Sequence, residues 1–196
     1  LLTCGNGAVS VAEHTGVASG VAALAVATVP LFTLLCGYFW GARNTRLEWA
    51  GIVLGLIGIA MLNLGSNLQS SPLGAALLIF AAATWAFGSV WSKHLPLPQG
   101  AMASAVEMLV GGVVLLIASA VSGEHLEKVP PLEGWAALAY LTVFGSIIAF
   151  NAYMYLLKHV RPAAATSYAY VNPAVAVLLG IVFVGETIGI EETLAM

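Results

Sequence analysis

The sequence predicts an all-α protein, a polytopic membrane helical bundle. Hydrophobic residues make up 60% of the 196 residues and charged residues only 8%, whereas a soluble domain carries about 25% charged residues. The mean hydropathy of the chain is +0.97. Apolar stretches long enough to cross a bilayer core of about 30 Å recur along the whole chain. We therefore expect a single membrane domain of about seven helices plus the start of an eighth.

The predicted helices follow one another with short polar connections. Apolar runs place them at residues 1–13, 17–40, 48–65, 73–93, 100–121, 134–157 and 163–184, with an eighth starting near 190. Polar clusters such as GARNTR (41–46) and KHLPLPQ (93–99) separate the runs. The chain opens inside an apolar run without an initiator methionine, so we expect it to be a fragment of a longer polypeptide.

Positive charges predict the orientation of the helices. If successive helices alternate in direction, only Lys128 falls on one side of the membrane. The basic residues on the other side are Arg43, Arg46, Lys93, Lys158 and Arg161. Loops rich in Lys and Arg face the cytoplasm. Loops 41–46, 93–99 and 158–162 are therefore predicted to be cytoplasmic.

A weak internal repeat relates two of the helices. The segment AVATVPLFTLLCGYFW (25–40) is similar to YAYVNPAVAVLLGIVF (168–183), with Pro30 matching Pro173 and Gly37 matching Gly180. Identity elsewhere is low, so a chance match is the alternative. The two helices are an odd number of spans apart and would run in opposite directions. An inverted repeat of this kind is common in secondary transporters.

Several stretches resemble a known transporter family. They include WAFGSV (85–90), EML (107–109), FGSIIAFNAYMYL (144–156) and ATSYAYVNPAVAVLLG (165–180). On these motifs the chain resembles EamA-type members of the drug/metabolite transporter superfamily, in particular its bacterial exporters. The resemblance implies two inverted five-helix repeats, ten helices in the full protein, around a central substrate cavity. Residues 1–66 would complete the first repeat, from the end of helix 3 to helix 5. Residues 72–196 would form the second, from helix 6 to the start of helix 10.

Glu107 is the one ionisable residue predicted to lie clearly inside a span. It follows Gly100 by seven residues, which is about 10 Å at a rise of 1.5 Å per residue. A carboxyl group in the membrane is a candidate to carry a proton in exchange for substrate. The alternative is a carboxylate near the cytoplasmic boundary that hydrogen-bonds within the bundle or reaches the lipid headgroups.

Polar and aromatic side chains on neighbouring helices are candidates for a substrate cavity. Asn151 and Tyr155 share one face of helix 134–157, and Tyr168 and Asn172 share one face of helix 163–184. The remaining candidates are Ser146, Tyr153, Tyr170 and the deeply placed Trp85. Hydrogen bonding between helices uses the same residue types and is the alternative.

Prolines and histidines lead to two smaller predictions. Pro30 and Pro173 each remove a backbone hydrogen bond and are candidate hinges, with simple packing geometry as the alternative. The four histidines lie at loops or helix ends without metal-ligand spacing, so we expect neither a metal nor a cofactor.

The absence of enzymatic motifs narrows the function. The sequence has no GxxxxGK[ST], HExxH or GxSxG motif and no aspartate, so we expect no enzyme. We predict a secondary transporter of the bacterial inner membrane that exports small amino-acid-like metabolites or drugs with proton coupling. Its expected partners are a small-molecule substrate and membrane lipids, with no nucleic acid and no indication of oligomeric state. A channel or facilitator and a non-transporting subunit are the alternatives.

Overall fold

A computed structural model of the chain describes residues 1–17, 19–62, 71–96, 100–124 and 129–179. These residues form helices and connecting turns and contain no strand. The prediction of an all-α membrane bundle is thereby confirmed. The predicted eighth helix near residue 190 and the end of the seventh lie outside the described residues.

In the first half of the chain, the described residues form four α-helices. A π-helical turn, Leu2–Asn6, leads into α1 (Gly7–His14). The predicted helix 17–40 is divided into α2 (Ser19–Ala27) and α3 (Val29–Phe39), and α4 follows at Arg46–Leu62.

The second half contains the longest helices. α5 (Pro72–Trp91) is extended by a 3₁₀ turn, and α6 spans Ala101–Val121. α7 (Leu132–Tyr140), a π-helical segment (Leu141–Ala149) and α8 (Phe150–His159) run on as one helix. α9 (Pro162–Thr166) and α10 (Tyr168–Leu179) follow. Within the described residues, Pro72–His94, Ala101–Val121 and Leu132–His159 are long and apolar enough to cross a membrane, and Leu24–Phe39 is a shorter apolar helix.

Local sequence signals explain where two helices begin. The Ser71 hydroxyl accepts a hydrogen bond from the Gly74 amide at 3.0 Å, and Pro72 occupies the first position of α5, where its missing N–H costs nothing. At the start of α4, the Thr45 amide donates to the Glu48 carboxylate at 2.7 Å. The Glu48 amide donates back to the Thr45 hydroxyl at 3.3 Å, which completes a capping box.

α5 is the central helix of the described bundle. It contacts α1, α2, α3, α9 and the first π-helical turn. Its buried positions repeat every three to four residues and are mostly small: Leu78, Ala81, Ala82, Ala86, Ser89 and Val90. Small side chains allow helices to approach closely, which is the main source of helix association in a bilayer. Side chains on this buried face of α5 therefore lie in the middle of the bundle.

The two candidate hinge prolines have different local settings. The break between α2 and α3 falls at Thr28, two residues before Pro30, and Pro30 lies in the first turn of α3. Pro173 lies within α10, and the nearest break, between α9 and α10, is at Ser167. A hinge role for either proline remains a prediction.

Three connecting segments meet at one end of the bundle. The Arg161 guanidinium lies 3.0 Å from the Glu48 carboxylate and also donates to the backbone carbonyl of Arg43. The Lys93 ammonium donates to the Val160 carbonyl at 2.6 Å. These contacts bring segments 41–46, 93–96 and 158–162 together at the same end, and Glu48, Lys93 and Arg161 line a cavity of about 230 Å³ there.

Candidate functional site

A buried hydrogen-bond network joins α5 to α8. The Trp85 indole N–H donates to the Tyr153 hydroxyl oxygen at 3.2 Å. Ser89 donates its single proton to the Trp85 carbonyl at 2.7 Å, so the Tyr153 hydroxyl donates to Ser89. Tyr153 thus uses both its donor and its acceptor capacity within the bundle, and its side chain is only 6% exposed.

Aromatic rings surround this network. Tyr168 of α10 meets the Tyr153 ring edge to face with centroids 5.4 Å apart, and Phe150 meets Trp85 at 6.5 Å. Edge-to-face pairs at these distances are favourable. Trp85, Ser89, Phe150, Tyr153 and Tyr168 are called the aromatic cluster below. The cluster brings three of the predicted cavity residues together, from three different helices.

Glu107 lies beside the aromatic cluster. It is half-buried on α6 and its carboxylate interacts electrostatically with the Tyr153 hydroxyl. The next residue, Met108, packs against the cluster. Among the described residues, no lysine, arginine or histidine side chain pairs with Glu107. A carboxyl group that pairs with no basic side chain among the described residues therefore adjoins the aromatic rings within a membrane-spanning helix.

Asn151 and Tyr155 lie in a different place, a cavity of about 660 Å³ between α6 and α8. The lining residues are Gly100, Ala101, Ala103 and Ser104 of the α6 end and Asn151, Met154, Tyr155, Lys158 and His159 of α8. We call it the α6–α8 cavity. Met154 also belongs to the core around Tyr153, so its side chain forms part of the wall between this cavity and the aromatic cluster.

The other predicted cavity residues are dispersed. Tyr170 lines a third cavity, of about 210 Å³, together with Pro30, and its buried hydroxyl has no hydrogen-bond partner. Ser146 is half-buried on the π-helical segment, and Asn172 is exposed on α10. The structure therefore divides the eight candidates among at least three locations. A role for any of them in substrate binding remains a prediction.

Sequence reasoning missed the serines that complete these sites. Ser89 follows Trp85 by four residues and so shares its face of α5, a spacing that could have identified it. Ser104 precedes Glu107 by three residues and so shares its face of α6, a spacing that could likewise have identified Ser104. The contact between Glu48 and Arg161 was also missed, although opposite charges in loops predicted to share one side of the membrane were a usable signal.

The model of the EamA-like transporter family matches residues 72–196. The chain is 57% identical over 196 residues to the protein named "Uncharacterized inner membrane transporter YedA" of Escherichia coli strain K12. The aligned region covers all of this chain and 64% of that relative. It is 24% identical over 180 residues to the Bacillus subtilis transporter YdfC, covering 90% of this chain and 58% of that protein.

A further relative carries a more specific name. The chain is 26% identical over 171 residues to a probable terminal-alkyne amino-acid exporter of Streptantibioticus cattleyicolor, which covers 87% of this chain and 58% of the exporter. The chain spans less than two thirds of the length of each of these relatives. The family match extends over most of the chain, and the predicted family and multi-pass membrane location are confirmed. The chain belongs to the EamA-like transporter family.

Proposed function

We propose that the full-length protein is a secondary transporter of the bacterial inner membrane that exports small amino-acid-like metabolites or drugs in exchange for protons. The family and the names of the relatives support transport, and one distant relative is named a probable amino-acid exporter. The observation that carries the proton-coupled form is the half-buried carboxyl group of Glu107, which pairs with no basic side chain among the described residues and lies beside the buried aromatic cluster.

Glu107 would couple the proton to the substrate by competition. An ionised carboxylate without a cationic partner is costly inside a membrane bundle, and binding either a proton or a positively charged group lowers that cost. The ammonium group of an amino-acid-like solute, or the cationic group of a drug, can replace the proton at Glu107. Release of the solute outside would then be followed by uptake of a proton, which gives exchange.

The aromatic cluster would recognise the rest of the solute. Its rings offer apolar surface, and the Tyr168 hydroxyl, which accepts from Trp85, keeps its proton to donate to the solute. Ring faces also attract cationic groups. Tyr153 and Tyr168 are in contact in this structure, so a solute that binds between them must separate the two rings.

Proton movement in everted vesicles that contain the full-length protein tests this proposal. Amino acids and cationic drugs are added one at a time, and the internal pH is followed with a fluorescent dye. We expect Glu107→Gln, which removes the charge but keeps the size, to abolish substrate-driven proton movement. Glu133→Gln is the matched control because Glu133 is exposed at the start of α7.

Three results would contradict parts of the proposal. Substrate-driven proton movement that persists unchanged in Glu107→Gln would show that another group couples the proton. Transport of labelled substrate by wild type without any proton movement would favour a facilitator. If the correctly inserted protein moves no compound of either class, the proposed substrate classes are wrong and a non-transporting subunit is favoured.

A further inference from the structure

We propose that the α6–α8 cavity binds the headgroup of an anionic phospholipid in the cytoplasmic leaflet. The cavity lies where α6 begins and α8 ends, next to the loops 93–99 and 158–162. Both loops are predicted to be cytoplasmic from their positive charge. The cavity would therefore lie at the depth of the cytoplasmic headgroups. This site is separate from the aromatic cluster and does not depend on the transport proposal.

The cavity is positive in character. Lys158 lines it from the last turn of α8, and no carboxylate is among the described residues that line it. The 21-residue helix α6 has Gly100 as its N-cap residue, which supplies no side-chain cap, and its first turn contains no acidic residue. Unpaired amide N–H groups and the helix dipole favour an anion at such a helix start.

Ser104 supplies an independent indication that a ligand belongs there. Its side chain is 1% exposed, it lines the cavity, and its hydroxyl has no hydrogen-bond partner. Buried hydroxyl groups are nearly always hydrogen-bonded, because leaving one unpaired costs about 1–3 kcal/mol. A phosphate oxygen in the cavity would accept from Ser104. Asn151 donates one amide hydrogen to the Ile147 carbonyl and retains a second one for the same ligand.

The surface next to the cavity favours a lipid over a soluble anion. Beyond Asn151, the same continuous helix presents Ile147, Phe144 and Tyr140, and each is more than half exposed. The rings of Tyr140 and Phe144 are in contact, with centroids 4.8 Å apart. From Asn151 to Tyr140 this apolar strip is at most about 16 Å long, the length at the α-helical rise of 1.5 Å per residue, because its π-helical part rises less. One leaflet of the hydrocarbon core is about 15 Å thick, so an acyl chain fits the strip.

The open side of the cavity is suited to a headgroup. Tyr155, 62% exposed, stacks on the His159 ring with centroids 4.0 Å apart and borders the opening. Tyrosine is favoured at the level of the headgroups because its ring is apolar and its hydroxyl is polar. Because no carboxylate lines the cavity to receive the ammonium of a zwitterionic lipid, we expect an anionic lipid to bind more tightly.

Native mass spectrometry of the purified full-length protein tests the site. Phosphatidylglycerol and phosphatidylcholine with identical acyl chains are titrated separately, and the bound lipid is counted. We expect wild type to prefer phosphatidylglycerol. Lys158→Gln should weaken phosphatidylglycerol binding about fivefold, the effect of one basic residue at an anionic surface. Ser104→Ala should weaken it by a few-fold, in the same direction.

Arg46→Gln is the control, because Arg46 is an exposed cationic residue at the start of α4, on the same predicted side as Lys158, and does not line the cavity. It should leave the lipid preference unchanged. If Arg46→Gln and Lys158→Gln weaken phosphatidylglycerol binding equally, the preference reflects general attraction between basic residues and anionic lipid, and the proposal is overturned. Equal binding of the two lipids by wild type would also overturn it, as would displacement of phosphatidylglycerol by soluble glycerol phosphate.

Discussion

Replacing Tyr153 with phenylalanine tests whether the aromatic cluster is held by its hydrogen bonds. The change removes the acceptor of the Trp85 indole N–H and the donor to Ser89. Ser89 keeps its bond to the Trp85 carbonyl, so the indole N–H is the group that loses its bond to Tyr153 and keeps only its interaction with the Tyr168 hydroxyl. Loss of a buried hydrogen bond costs about 0.5–1.5 kcal/mol, and hydrogen bonds in membrane bundles contribute at most about 1.7 kcal/mol. We therefore expect Tyr153→Phe to lower the free energy of unfolding by about 1–2 kcal/mol.

Reversible unfolding of the full-length protein in mixed micelles measures this loss. Tyr155→Phe is the matched control: it makes the same change two residues along the same helix, on a side chain that is largely exposed. It should alter the free energy of unfolding by less than about 0.5 kcal/mol. A double-mutant cycle with Ser89→Ala should give a coupling energy of about 0.5–1.5 kcal/mol, because Ser89 and Tyr153 are directly bonded.

A result in which Tyr153→Phe is as harmless as Tyr155→Phe would refute this account of the cluster. It would mean that ring packing alone fixes Tyr153 and that the Trp85 N–H finds another partner. A zero coupling energy with Ser89→Ala would similarly contradict the hydrogen bond between the two hydroxyl groups.

Two further predictions concern helix contacts. A Cβ at Gly55 would lie 2.8 Å from the Tyr170 ring, so Gly55→Ala should lower the free energy of unfolding by about 1–3 kcal/mol. A Cβ at Gly51 meets no atom within 4 Å, so Gly51→Ala should leave the free energy of unfolding unchanged or raise it by up to about 1 kcal/mol. Equal effects of the two substitutions in unfolding titrations would contradict the close contact at Gly55. Arg161→Gln removes a half-exposed ion pair to Glu48 and should lower the free energy of unfolding by about 1 kcal/mol or less. Recovery in Arg161→Lys would show that the charge matters, and a larger loss would mean that the pair is buried in the full-length protein.

Helix positions could be predicted well because long apolar runs leave few alternatives in a membrane. The predicted helices 73–93 and 100–121 match Pro72–Trp91 and Ala101–Val121 within two residues. The breaks at Thr28 and Ser167 could not be predicted in this way. At each break the hydroxyl donates to the carbonyl three residues earlier, Ala25 and Ala164 respectively. Such side-chain bonds satisfy a backbone group at the interruption, and tertiary packing decides where they form.

At the candidate sites, the spacing of residues along a helix predicts which side chains share a face. A spacing of four residues places Asn151 and Tyr155 on one face of α8, and both do line one cavity. Periodicity says nothing about which helix lies opposite that face. The contact between Trp85 and Tyr153 joins residues 68 positions apart and depends on how α5 and α8 pack. For the same reason, Tyr168 reaches the aromatic cluster whereas Asn172, on the same predicted face, is exposed.

The contacts among the three loops at one end of the bundle place these loops on the same side of the membrane. Glu48 and Arg161 are 3.0 Å apart, and Lys93 reaches the carbonyl of Val160 at 2.6 Å. A hydrocarbon core of about 30 Å cannot separate groups in such contact, so the three loops must share one side of the membrane. The charge pattern independently assigns these same loops to one side, through alternation of the predicted spans. An extra or missing span between α3 and α9 would place at least one of the loops on the other side, so these contacts support the predicted number of spans in this region.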